Sequence, residues 1–193
     1  MYRGLLGDVR FFELLLKVDE ERAAKVQTSG CRHCGGPLHA GHFERKPRGA
    51  LLGAAPPPEG FTVRFDWCCA ECRRRTLPPS VRFLGRKVYV AVANALATVL
   101  VRGEDRDAVR LLRRELGASW STLRRWRAWW QGLVGSAPWQ RLRGQLPVDL
   151  DEGGLPESLL ARLSGSCSER MLALLRLLAF DSPGFPGTLG EWR

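Results

Sequence analysis

Apolar residues recur at helical spacing along the first part of the chain. Phe11, Phe12, Leu14, Leu15, Leu16 and Val18 precede polar Asp19-Glu20-Glu21-Arg22, which predicts an amphipathic packing helix over 9–26, ended by Thr28-Ser29-Gly30. From Phe61 to Trp67 apolar and polar residues alternate strictly, the period of a strand, and 38–43 supplies a partner strand. The stretch 44–60 between them contains three consecutive prolines and reads as a loop. Residues 88–101 are alanine- and valine-rich and read as a buried helix, although the valines leave a strand open at its start. Two further helices follow at 106–116 and 122–133, parted by Gly117, with Ser119 or Ser121 as the cap of the second. Pro138, Pro147 and Gly153-Gly154 break up what comes next; 155–180 is helical with a break at Gly165. From Pro183 the chain is a Gly/Pro-rich tail in which Phe185 and Trp192 are candidates for docking. The pattern predicts a mainly α chain with a small β part, hence α+β, in four segments: 1–30, 31–76, 77–133 and 134–193.

The β part carries the chemistry. Cys31-Arg32-His33-Cys34 is answered by Cys69-Ala70-Glu71-Cys72. Two thiolates three residues apart reach one tetrahedral metal ion when the backbone turns tightly between them, and Gly35-Gly36 suits such a turn. The expectation is a zinc ribbon with a structural Zn2+ on Cys31, Cys34, Cys69 and Cys72. Cys69 is preferred to its neighbour Cys68 because it keeps the two-residue spacing and shares a strand face with Trp67. A site using His39 and His42 is disfavoured because their rings would leave a strand on opposite faces; His33, His39 and His42 are read as solvated or packed. Disulfides would need an oxidising compartment, but residues 1–10 do not read as a signal peptide. A thioredoxin-like role would need a helix after the first pair, where Gly-Gly-Pro stands instead.

Charge changes the picture further. The net charge is +10 and the pI about 10.1, with arginine dominating the bases. Residues 31–131 hold 19 Lys+Arg and 8 Asp+Glu, so the flanks together are close to neutral. A basic central block is the footprint of a polyanion partner, most often nucleic acid. Arg73, Arg74 and Arg75 directly after the second cysteine pair are candidate phosphate contacts, as are Arg45, Lys46 and Arg48 in the loop. The alternative is that arginine is generic surface filler, which would not explain neutral flanks.

The segment 106–133 is a helix, a glycine turn and a second helix, the pattern of a helix-turn-helix. Leu123, Trp126 and Trp130 share one face of the second helix and are assigned to the core, with Trp120 and Trp129 less determined. Ser121, Thr122, Arg124, Arg125 and Arg127 project elsewhere and are candidate contacts to double-stranded DNA. The run Glu115-Leu-Gly-Ala-Ser-Trp-Ser-Thr-Leu-Arg-Arg-Trp-Arg-Ala-Trp-Trp130 resembles the helix-turn-helix of many bacterial transposases, Leu-Gly-Val-Ser-x-x-Thr-Leu/Val-x-Arg-Trp. The ribbon is similar to that of insertion-sequence transposases and their small accessory proteins, with an aromatic residue two before the third cysteine and Arg-Arg after the fourth. The likeness spans 31–133, and the 34-residue gap between knuckles is longer than the family's usual one. It implies a bacterial protein that binds transposon ends or an operator, with Ser121, Thr122, Arg124 and Arg125 meeting DNA and a separate transposase as a candidate partner.

Catalysis is not expected. A transposase catalytic domain needs three carboxylates on a mixed sheet, and the acids Asp149, Asp151 and Glu152 lie in a loop-like stretch. Four thiolates leave a zinc ion no open position for water. RNA binding is the nearest rival reading, and a protein-interaction role for the apolar run 171–180 is another: core in the first instance, a homodimer seam in the second. No stretch approaches a membrane span, and the expected compartment is the bacterial cytoplasm.

Overall fold

The computed structural model describes residues 2–45, 56–83, 95, 110, 113–144, 146 and 149–179. Except for Ala95, which is helical and fully buried, the expected helix 88–101 lies outside the described residues, as do Lys46, Arg48, the tail and most of 106–112.

A short 3-10 helix, Tyr2–Leu6, leads into α1 (Val9–Ser29). Asp8 caps α1 by accepting from the N–H groups of Arg10 and Phe11, answering two of the donors a helix start leaves open. One stripe of α1 buries Phe11, Phe12, Leu15, Val18 and Ala23; each large apolar side chain so buried stabilises by about 1.5–3 kcal/mol. The helix ends at Gly30, φ 73°, where a Cβ would stand 2.8 Å from the carbonyl oxygen of Gly35. Only glycine turns the chain there and lets the first cysteine pair begin immediately.

The β part is two small antiparallel sheets. β1 (Leu38–Ala40), β4 (Trp67–Cys69) and β5 (Arg75–Thr76) form one, in the order β1-β4-β5; β2 (Phe43–Glu44) and β3 (Val63–Arg64) form the other. Leu38 faces Cys69 and His39 faces Cys68 across the β1–β4 ladder. The continuous strands expected over 38–43 and 61–67 are therefore each interrupted, the first at Gly41-His42 and the second at Phe65-Asp66. The reason is that Arg64 and Asp66, polar positions of the alternating pattern, are buried, at 5% and 1% exposure. Arg64 donates to the Pro78 carbonyl at 2.7 Å, and burial pushes its guanidinium down to about 10. Asp66 pairs with Arg75 at 2.5 Å.

Helical residues 113–116 are followed by Gly117 at φ 59° and then α2 (Trp120–Val134), whose cap is Ser119, accepting from the Thr122 N–H. α3 (Ala137–Arg143) was not expected, because Pro138 reads as a breaker. Proline in a first turn surrenders no helical hydrogen bond, since those N–H groups are unpaired anyway. Leu155-Pro156 is cis, and the helical stretch expected over 155–180 with a break at Gly165 is found as two helices on either side of that glycine, α4 (Glu157–Arg162) and α5 (Cys167–Leu178). Ser166 and Glu169 open α5 with a reciprocal capping box. Cys167, in the first turn of α5, is a half-buried free thiol.

One core joins both ends of the chain. Residues of α1, α2, α3, α4 and α5 share it with Phe61 and Val81, and Trp139 at its centre is fully buried. The apolar run of α5 belongs to this core: Met171, Leu172, Leu174, Leu175 and Leu178 are all buried. A second, smaller cluster, Ala23, Cys31, Leu38, Trp67 and Cys69, seats the cysteines on the end of α1.

A buried polar latch holds the two parts together. Asp19 of α1, 1% exposed, accepts from the Ser80 hydroxyl (2.5 Å), the Val81 N–H (2.7 Å) and Arg82 Nε (2.8 Å). Arg82, fully buried, donates in addition to the carbonyls of Phe61 (2.7 Å), Val63 (2.9 Å) and Gly60 (3.2 Å). Its guanidinium carbon lies 4.8–5.6 Å from the ring centres of Phe65, Phe83 and Phe61, where the ring faces favour a cation.

Candidate metal centre

The four cysteines of the two C-x-x-C pairs converge. Their sulfurs all lie within 4.8 Å of one another, and Cys31–Cys72 and Cys34–Cys69 are each 3.5 Å apart. Four sulfurs about 2.3 Å from one tetrahedral ion would stand about 3.8 Å from each other, so the cluster is close to the size that one ion would require. Four thiolates favour a soft or borderline ion such as zinc or iron.

Two copies of one turn build the centre. In the first, the Gly35 N–H reaches the Cys31 carbonyl (2.7 Å) and the Cys31 N–H reaches the Gly36 carbonyl (2.9 Å). In the second, Arg73 N–H reaches the Cys69 carbonyl (3.2 Å) and Cys69 N–H the Arg74 carbonyl (3.0 Å), at the same offsets. Each turn has one left-handed residue at the same place, Gly35 at φ 74° and Arg73 at φ 59°. An approximate dyad therefore relates Cys31 to Cys69 and Cys34 to Cys72, and the two 3.5 Å sulfur pairs are its equivalents. The left-handed conformation costs a residue with a side chain about 1–2 kcal/mol, so Arg73 is held there at a cost that Gly35 avoids.

Crowding separates the thiols. The His33 N–H, 3.5 Å from the Cys31 sulfur, is the main influence that lowers Cys31 to about 6. The Gly36 N–H pulls Cys34 down, but hydrogen bonding with the Cys69 and Cys72 sulfurs together with burial outweighs it and pushes Cys34 up to about 12. Cys72 is raised as well, burial and bonding to Cys31 overcoming the Arg74 N–H. One thiolate is readily formed and its neighbours resist ionising beside it, the condition a bound cation relieves.

The remaining candidates for ligation lie elsewhere. Cys68 points away from Cys69 along the strand, its sulfur near the carbonyls of Cys69 (3.8 Å) and Arg73 (3.7 Å). His39 is exposed beside it in the ladder. His42 stands edge-on to Trp67 and Phe65, with ring centres 4.8 and 5.2 Å away, and its Nδ1 lies 2.9 Å from the Asp66 carbonyl oxygen. None of the three belongs to the sulfur cluster.

Of the expected DNA contacts, Arg73, Arg74 and Arg75 are exposed beside the second turn, but Arg75 is engaged by Asp66 and by the Gly41 carbonyl at 3.1 Å. Arg74 Nη1 lies 3.1 Å from His33 Nδ1 on the first turn. His33 is lowered by partial burial and by the charges of Arg74 and Arg32. On α2, Ser121, Arg124, Arg125 and Arg127 are exposed. Thr122 is a correction: it is buried at 4%, and its hydroxyl lies 3.0 Å from that of Ser119 and accepts from Arg125 at 3.3 Å. It belongs to the cap, because its position one turn from Trp126 turns it inward. Leu123, Trp126, Trp129, Trp130 and Leu133 seal the opposite face of α2, and Trp120 is 44% exposed. Arg45, from the loop, lies over the Phe43 ring at 5.0 Å.

The acids at 149–152 do not form a carboxylate cluster. Asp149 pairs with Arg162, whose hydrogen bond holds its carboxyl below the usual range, and Glu152 accepts from Arg143 (2.7 Å) and Trp139 Nε1 (3.2 Å). No helix among the described residues is long and apolar enough to cross a membrane. The chain matches no protein-family model, no curated protein and no solved structure.

Proposed function

We propose that this chain is a zinc-stabilised protein that binds double-stranded DNA. Cys31, Cys34, Cys69 and Cys72 would hold one structural Zn2+, which when bound cross-links the two turns and fixes a zinc ribbon. The part 113–134 would act as a helix-turn-helix, with α2 in the major groove. Ser121, Arg124, Arg125 and Arg127 would meet bases and phosphates, and Arg73 and Arg74 phosphates alone.

The observation that carries this reading is the division of α2. Five large apolar residues seal one face into the core, while Ser121, Arg124, Arg125 and Arg127 stand exposed on the other, directly after a capped glycine turn. A helix so held presents a rigid basic face, and that face lies in the same basic block as the arginines of the metal turns. The resemblance to insertion-sequence transposases supports the same partner and points to a transposon end or an operator as the site, with catalysis left to another chain.

The test is metal content together with duplex binding for the intact protein and for Cys31→Ser/Cys69→Ser. One zinc per chain and salt-sensitive duplex binding, both lost in the variant, are expected. Zinc without duplex affinity, or tighter binding to RNA than to duplex DNA of the same length, would overturn the DNA reading while leaving the metal site standing.

A further inference from the structure

We propose that Arg32, His33 and Arg74 form a phosphate clamp on the rim of the metal centre, gripping one backbone phosphate of the duplex. This rests on the DNA-binding reading above and adds to its Arg74 contact two residues that it does not contain, Arg32 and His33, and the single phosphate they share with it. Arg32 and His33 fill the two positions between Cys31 and Cys34, and Arg74 follows the second turn by two residues after Cys72. The metal turns are what bring them together.

The geometry around His33 is unbalanced. Arg32 Nε lies 3.3 Å from His33 Nε2, and Arg74 Nη1 lies 3.1 Å from His33 Nδ1. A guanidinium only donates; a neutral imidazole has one accepting nitrogen and a protonated one has none. One of the two guanidiniums therefore always faces a ring N–H. The cluster holds donors in excess, with two like charges converging on a single ring. Among the described residues no carboxylate forms an ion pair with Arg32, Arg73 or Arg74, whereas Arg75 next to them has Asp66. All three clamp residues are exposed.

A phosphate supplies what is missing. It carries negative charge and several acceptor oxygens, and guanidinium–phosphate hydrogen bonds are about twice as strong as neutral ones. The ring N–H of His33 can donate to the same anion, so every donor in the cluster is answered at once. Arg73 is a second, independent sign that this rim is shaped by a partner. It keeps a long basic side chain in the left-handed position where the first turn has Gly35, and backbone strain retained at a surface site points to use of that residue.

The experiment uses the full-length, zinc-loaded protein. Duplex affinity is measured across a salt series for the wild type, Arg32→Ala, Arg74→Ala and the double variant, with exposed Arg10→Ala on α1 as the charge control. Zinc content is checked for each. One phosphate held by two arginines predicts a salt slope about one smaller in the double variant and unchanged in the control. In parallel, inorganic pyrophosphate is titrated while the Arg Nε–Hε and imidazole signals are followed by NMR. Shifts at Arg32, His33 and Arg74 that vanish in the double variant are expected. A double variant that binds duplex with the wild-type slope, or wild-type protein whose clamp signals ignore pyrophosphate, overturns the clamp. Wild-type protein that responds to pyrophosphate at these residues but does not bind duplex supports the clamp and overturns the DNA reading.

Discussion

Replacing Asp19 by alanine should destabilise the whole chain, and the structure says by how much. The carboxylate accepts three hydrogen bonds in a site 1% exposed. Its loss leaves the Arg82 guanidinium, fully buried, with three carbonyls but no counter-charge. Removing one partner of a buried pair costs about 3–5 kcal/mol, and orphaning the Val81 N–H and the Ser80 hydroxyl adds about 1–3 kcal/mol for each group that water cannot reach. A total of at least about 5 kcal/mol is expected, a large share of the roughly 5–15 kcal/mol that a domain possesses. For a chain of this size about 2–4 °C is lost per kcal/mol, so Tm should fall by about 10–20 °C. Arg82→Ala should cost nearly as much, because it leaves the carboxylate buried. The double variant should cost well under the sum of the two, with a coupling of about 2 kcal/mol or more. Thermal unfolding followed by circular dichroism is the assay, run at one fixed excess of zinc because ligand concentration moves Tm. A fall of under about 3 °C for Asp19→Ala, or strict additivity in the double variant, would refute the claim that these residues act as one buried unit.

Three further outcomes follow from other residues. Arg73→Gly relieves the left-handed strain, an effect of about 1–2 kcal/mol offset by the extra chain entropy of glycine; thermal melts should show unchanged or slightly raised stability while gel shifts show weaker duplex binding, and a lower Tm would contradict the turn assignment. Ser119→Ala removes the cap of α2 and should cost about 1 kcal/mol in urea unfolding, whereas Ser121→Ala should change stability little and act on DNA binding alone. Glu169 is held below the usual carboxylate range by the Ser166 N–H and hydroxyl. Its contribution is present above the ordinary Glu pKa and lost as pH falls through the lowered folded value. Glu169→Gln should therefore lower Tm at pH 7 by an amount that shrinks to nothing in strong acid, and a constant difference across that range would exclude the charged capping box.

The cluster of four cysteines was legible because the spacing within each pair is local. A two-residue strand period was enough to choose Cys69 over Cys68, and the ladder places Cys69 opposite Leu38 in the small core with Cys68 on the other face. The tryptophan stripe of α2 and the glycine that ends α1 were legible for the same reason. Features made by residues distant in sequence were not. Nothing near Asp19 announces that it is buried; its partner lies 63 positions on. Arg64 and Asp66 read as the outward side of a strand, yet both are drawn inward by Pro78 and Arg75. His33 read as solvated or packed, and nothing local in sequence shows that Arg74, 41 positions on, stands beside it. Thr122 shows the opposite limit: its hydroxyl suits both a base contact and a cap, and only the rotation of α2 about its axis decides between them.

The approximate dyad of the metal centre also determines what oxidation would leave behind. The closest sulfur pairs run between the two turns, Cys31 with Cys72 and Cys34 with Cys69, each at 3.5 Å. A two-electron oxidant such as hydrogen peroxide, acting on the metal-free cluster, would meet these pairs first. Each disulfide formed would pass two electrons and the two thiol protons to one peroxide, which leaves as two waters, and would staple one turn to the other. The two turns would then stay joined with no free thiolate left to hold a metal ion, and a reductant would be needed to restore the four thiols.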